Sequence, residues 1–174
     1  MTVRTEPVTW ISPAVPEKEL LALIGELVVC HVHLNHMLKM TIKSLLGITV
    51  DEALQQLSRK GPLQLRQQVE KAAVQEFGDG PVTERLSELL ERCRDVTDRR
   101  NYFAKSVYVM HLSEPHVGKV ALLDAVDRGN RPLPSVTAVR ETIQSIDTLI
   151  ADINHARLEG WLYEAINDAG RAVD

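Results

Sequence analysis

Residues 17–47 read EKELLALIGELVVCHVHLNHMLKMTIKSLLG. Leu20, Ile24, Leu27, Leu34, Leu38 and Leu45 recur by alternating fours and threes once His31 and Thr41 are counted with them. That spacing puts all eight on one stripe of an α-helix packed lengthwise against others. Pro16 or Glu17 opens the helix and Gly47 stops it, so the first element spans about 30 residues. A helix of that length with a continuous seam needs companions of similar length, and the rest of the chain supplies them.

Thr49 and Glu52 stand at capping-box spacing before Ala53, Leu54 and Leu57, a short second helix. Gly61-Pro62 ends it and opens a third, with Leu65, Val69, Ala72, Ala73 and Phe77 inward. Gly78-Asp79-Gly80-Pro81 is a strong break. A fourth helix follows from Pro81 or Val82 to about Lys105, its inward set Leu86, Leu89, Leu90, Cys93, Val96, Phe103 and Ala104. Val107–Leu112 and Val120–Leu123 are rich in strand formers and flank Ser113–Gly118, the pattern of a short β-hairpin. Asp127–Leu133 reads as a loop. Ser135 caps a last long helix carrying Val136, Val139, Ile143, Ile146, Ile150 and Ile153, with Leu158, Trp161, Leu162 and Ile166 extending it or forming a separate piece. Residues 1–15, broken by Pro7 and Pro13, read as an extended arm with Trp10 and Ile11 as docking points. The expectation is an all-α bundle of four to five helices, with a hairpin before the last helix, in one domain over 16–170.

Composition bounds the function. At 174 residues, 44% apolar and 25% charged, the chain can build one core without disulfides or metal. The net charge of −4 provides no field for a polyanion, and the few aromatics offer no base-stacking platform. Cys30 and Cys93 fall in apolar helical runs and read as reduced, packed thiols, which fits a cytoplasmic setting. Met1–Pro16 lacks the apolar core of a signal peptide, and no run reads as a membrane span.

Patterns for phosphate loops, nucleophile elbows, zinc proteases and Cys-x-x-Cys redox sites are missing, so no cofactor is implied. Metal is disfavoured: Asp152-x-x-His155 is half of a bundle-metal motif, and His33 with His36 names no third ligand. Asp98-Arg-Arg-Asn-Tyr-Phe-Ala-Lys-Ser106 is the informative segment. Counting back from Phe103 through Val96 and Cys93 places Arg100 on the buried seam of its helix, while Arg99 points outward beside Asp95. Arg100 cannot shed its proton, so on a seam it requires an acceptor, a wet pocket or an interface. Asn35 and His31 of the first helix are the candidates to face it.

Arg100-Asn101 near the end of a bundle helix, followed by a hairpin and a long final helix, resembles HEPN domains, in particular a bacterial group whose motif reads Arg-Asn-x-x-Ala-His. Leu34-Asn-His-Met-Leu38 and Leu45-Leu46-Gly47 are similar to that group's first helix. The resemblance runs from about Ile24 to Ile153. It implies a homodimer with the Arg motif at or beside the interface, and it brings RNA or a small anion into view as a ligand. In HEPN ribonucleases a His follows the Arg by four to six residues; here those positions hold Lys105, Ser106 and Val107, and the usual acidic position of the first helix is Asn35. Lysine at its ordinary pKa holds its proton too tightly for acid–base work at neutral pH. The leading expectation is therefore a non-catalytic, homodimeric interaction or regulatory module, with Arg100, Asn101, Asn35 and His31 as its binding residues. The alternatives are a metal-independent ribonuclease, in the manner of a toxin–antitoxin pair, using Lys105 or His111 as the proton carrier, and a plain structural homodimer.

Overall fold

The structure is a computed structural model that describes residues 10–13, 16–105, 107–114, 117–123, 130–131 and 134–171. The arm before Trp10, Ser106 and the loop expected over Asp127–Leu133, apart from Asn130–Arg131, lie outside those residues.

The chain is mainly helical: α1 (Lys18–Leu46), α2 (Val50–Leu57), α3 (Pro62–Phe77), α4 (Pro81–Lys105), α5 (Val136–Leu158) and α6 (Trp161–Arg171). The helix ends are set by local chemistry. Gly47, at φ 62°, takes the left-handed conformation that other residues resist, and returns its N–H to the Lys43 carbonyl. Thr49 and Glu52 satisfy each other's backbone donors in a capping box at the start of α2. The Ser135 hydroxyl oxygen accepts from the Ala138 N–H at 3.0 Å and opens α5. The helix over residues 136–158 ends at Glu159 and the chain restarts at Trp161, so Leu162 belongs to a separate short helix, where it is buried.

Helix α1 packs against α5, α3 and α4 and is the axis of the bundle. Its seam is buried as the spacing demands: Leu20, Leu23, Ile24, Leu27, Leu34, Leu38 and Leu45, with His31 and Thr41 among them. Burying each such leucine stabilises the fold by about 1.5–3 kcal/mol before entropy is counted. Leu65, Val69, Ala72 and Ala73 answer from α3, Leu86, Leu90, Cys93, Val96 and Phe103 from α4, and Val139, Ile143, Ile146, Leu149 and Ile153 from α5. Leu89, Ala104 and Phe77, expected inside, are half-buried at the edge of this core.

Beyond α4 the backbone forms β2 (Val107–Glu114) and β3 (Val117–Leu123), antiparallel, with Tyr108 opposite Leu122 and His111 opposite Lys119. On its other edge β2 pairs with β1 (Trp10–Pro13), antiparallel, Ile11 opposite His111. The two-residue β4 (Asn130–Arg131) joins β3. Part of the N-terminal arm is thus an edge strand, a pairing that Pro7 and Pro13 conceal in the sequence.

Helix α1 is also apolar enough, by length and composition, to cross a membrane, with a mean hydropathy of 1.4 over its most apolar 18 residues. In the sequence this run is masked by Glu26, His31, His33 and Asn35, which interrupt the apolar residues.

Candidate functional site

The inner face of α1 carries one ionisable side chain into the core. His31 is 2% exposed. Opposite it, one turn beyond Cys93 on α4, stands Thr97, also buried. The Thr97 hydroxyl donates to the Cys93 carbonyl at 2.6 Å, which uses its only hydrogen. The 3.1 Å contact between His31 Nε2 and Thr97 Oγ1 must therefore run from the ring N–H to the hydroxyl oxygen. This fixes the tautomer: Nε2 carries the proton, and Nδ1 is a bare acceptor facing Asn35 Nδ2 at 3.4 Å.

The ring is held neutral. Burial, followed by the positive charges of Arg100, Arg66 and Lys105, drives its pKa down to about 4. Those cations define the rest of the site. Arg66 comes from α3, half-buried beside Leu65, and its Nη1 is buried without a hydrogen-bond acceptor. Arg100 is half-buried on α4; its Nη1 donates to Asn101 Oδ1 at 3.1 Å, but its Nε is buried and unpartnered. Asn35 Oδ1 is likewise buried with no donor. Arg92 pairs with Asp152, Arg94 with Glu91 and Asp95, and Arg140 with Glu19; among the described residues none of these ion pairs includes Arg66, Arg100 or Lys105.

The structure thus brings His31, Asn35 and Arg100 together and adds Arg66 and Thr97, which sequence reasoning missed. Both left a signal: Arg66 lies one turn before Val69 on the apolar side of its helix, and Thr97 lies one turn after Cys93 on the seam. Arg100, expected on the buried seam, is half-buried, and its Nε is a donor that still lacks an acceptor. Lys105, the last residue of α4, is exposed. His111 sits in β2, its backbone four residues beyond the strand's first, and its side chain lies outside the described residues. Arg99 is exposed, as expected, and Asp95, expected beside it, meets Arg94 at 3.7 Å instead.

The two residues of the metal half-motif have other partners: Asp152 pairs with Arg92 at 2.6 Å, and His155 Nδ1 lies 3.1 Å from Glu159 Oε1. His33 and His36 are exposed on α1, and among the described residues no three His, Cys, Asp or Glu side chains gather to hold a metal ion. Cys93 is buried and its thiol is pushed up to about 12, so it is an inert core residue.

Chemically, the cluster offers buried donors without acceptors, and its imidazole has both nitrogens engaged. Two guanidinium N–H groups seek an acceptor in a partly dry site, where a charged acceptor gains most. The nearby imidazole has one nitrogen committed as donor and the other covered by Asn35. With its pKa near 4, His31 is almost wholly unprotonated at pH 7 and has no proton to give from Nδ1. No protein-family model, no curated protein and no solved structure matches this chain.

Proposed function

We propose that this chain is a non-catalytic, HEPN-like interaction module of the cytoplasm, an all-α bundle with its hairpin between the fourth and last long helices. It pairs with a second copy of itself and receives an anionic group at Arg66 and Arg100. The observation that carries this reading is the pair of buried, unanswered guanidinium N–H groups beside an imidazole that is tied down and neutral. A buried donor left without an acceptor costs about 1–3 kcal/mol, which an anion would recover on binding. His31, neutral and tied to Thr97, supplies no proton relay, so the group is held rather than cleaved.

The test is incubation of the purified protein with mixed-sequence RNA in chelator. No cleavage above a buffer control is the expected result. Cleavage abolished by both Arg100→Ala and His111→Ala would overturn the reading and make the chain a metal-independent ribonuclease with His111 as its proton carrier.

A further inference from the structure

Helix α1 has a second face, and nothing in the described fold covers it. Leu21 is 48% exposed, Val29 54% and Val32 57%, and Ala22, Gly25 and His36 are exposed on the same side. Gly25 is the eighth residue of this 29-residue helix, an interior position where glycine costs roughly 1 kcal/mol against alanine. Nothing inside the described fold requires it: a Cβ built at Gly25 meets no atom within 4 Å. A position that gives up helix stability and faces open space makes sense where another backbone comes close.

The charges say what that other surface is. From Leu27 to Val50 the sequence has no acidic residue, and the second half of α1 carries the donors His33, His36, Lys39 and Lys43. The first half carries Glu19 and Glu26, with Glu17 at the cap and Lys18 as its basic residue. Glu19 is already paired with Arg140 at 3.0 Å, which leaves Glu26 as the acid on the exposed face. A second α1 laid antiparallel, with a two-fold axis crossing at Val29, sets Gly25 against the partner's 32–33 segment and Ala22 against its 36 region. It also brings each Glu26 to the other copy's His33. The face is thus complementary to itself, as an isologous contact requires. A lipid surface fits less well, because Glu26, His33 and His36 would all enter hydrocarbon.

We infer that the exposed face of α1, from Leu21 to His36, is the seam of an antiparallel homodimer closed by Val29 and Gly25. This rests on the homodimer reading and specifies its geometry. Asn35 follows Val32 by three residues, so the seam runs past the edge of the Arg66–Arg100 cluster, and the second copy lies beside the anion site.

Light scattering coupled to size exclusion at micromolar concentration provides the test. The wild type is expected at twice 19.5 kDa, and Gly25→Arg and Val29→Asp at 19.5 kDa, with helical circular dichroism and a cooperative melt retained because both side chains point outward. Leu63→Arg, on an exposed residue of α3, should leave the dimer intact. Glu26→Lys should weaken association at least tenfold and adding His33→Glu in the same chain should restore it, as the antiparallel register demands. A dimeric wild type unaffected by Gly25→Arg and Val29→Asp would overturn the α1 seam while leaving the dimer reading in place. A monomeric wild type would remove both, and co-flotation of wild type with neutral lipid vesicles, lost in Val29→Asp, would replace the second copy by a membrane.

Discussion

His31 and Thr97 lie 66 residues apart in sequence, yet the ring Nε2 donates to the threonine oxygen at 3.1 Å in the centre of the bundle. Thr97 passes the constraint on to the Cys93 carbonyl, so one side chain joins α1 to α4 and fixes which imidazole nitrogen carries the proton.

Thr97→Val keeps the shape of the site and removes the acceptor, which leaves the His31 N–H buried without a partner. The expected cost is about 1–3 kcal/mol in urea-induced unfolding, with little change in the slope of the transition. Thr97→Ser, which retains the hydroxyl, should recover most of that loss. Equal melts for Val and Ser would show that the hydroxyl plays no part in stability.

Stability should also fall in mild acid for a reason traceable to one residue. The folded state holds His31 near pKa 4, against an ordinary value of 6.5 in the unfolded chain. Below 6.5 the unfolded chain takes up a proton that the folded state refuses, so folding stability is fully present above that pH and drains away down to about 4. The full span corresponds to about 3 kcal/mol. Exposed carboxylates such as Glu52, whose pKa is lowered by its bonds to Thr49, lose their contribution only at lower pH. Denaturant melts at pH 7 and pH 5 should therefore differ clearly in the wild type and much less in His31→Gln. A slope that survives in His31→Gln belongs to some other group.

Gly47 is the stop of α1, at φ 62° with open space around its missing Cβ. Gly47→Ala should destabilise by about 1 kcal/mol through backbone strain alone, since no clash awaits the methyl group. Gly25→Ala should act in the opposite sense on the stability of the single chain, by a similar amount, because α1 is regular there.

The bundle was legible because the seam of α1 and the apolar runs of α3, α4 and α5 repeat at helical spacing, and because Gly47, Thr49, Gly61 and Ser135 mark the ends with local chemistry. The polar cluster was half legible. His31 declared itself by occupying a seam position, and Arg100 did so by falling in register with Cys93 and Phe103. Thr97 was hidden because Val96 beside it accounts for the same turn, and a threonine that bonds its own helix carbonyl looks apolar in a periodicity count. Arg66 was hidden because an arginine next to a buried Leu65 reads as solvent-facing until a third helix is placed over it. The outer face of α1 was visible as letters, but its exposure depends on which helices pack where, and periodicity does not specify neighbours.

The last prediction concerns what the two arginines hold. Arg66 Nη1 and Arg100 Nε are buried donors without acceptors, and neither residue has a carboxylate partner among the described residues. Arg100 donates to Asn101 Oδ1 on the neighbouring residue but meets no carboxylate among the described residues, so Arg100→Gln, which keeps an N–H donor, is expected to melt within about 1 kcal/mol of wild type. Its effects should appear elsewhere. Arg100 is the largest charge acting on His31, so Arg100→Gln should raise the His31 pKa, read from the imidazole proton shift in an NMR titration. Inorganic phosphate should stabilise the wild type at constant ionic strength, by about 1.4 kcal/mol when its concentration reaches ten times the dissociation constant. That gain should shrink in Arg66→Gln and in Arg100→Gln and vanish in the double variant, because one charge-assisted contact alone binds weakly in water. Arg99→Gln, changing an exposed arginine one residue away, is the control and should respond to phosphate as the wild type does. If phosphate stabilises the double variant as much as the wild type, the anion lies elsewhere and the two arginines answer to another partner.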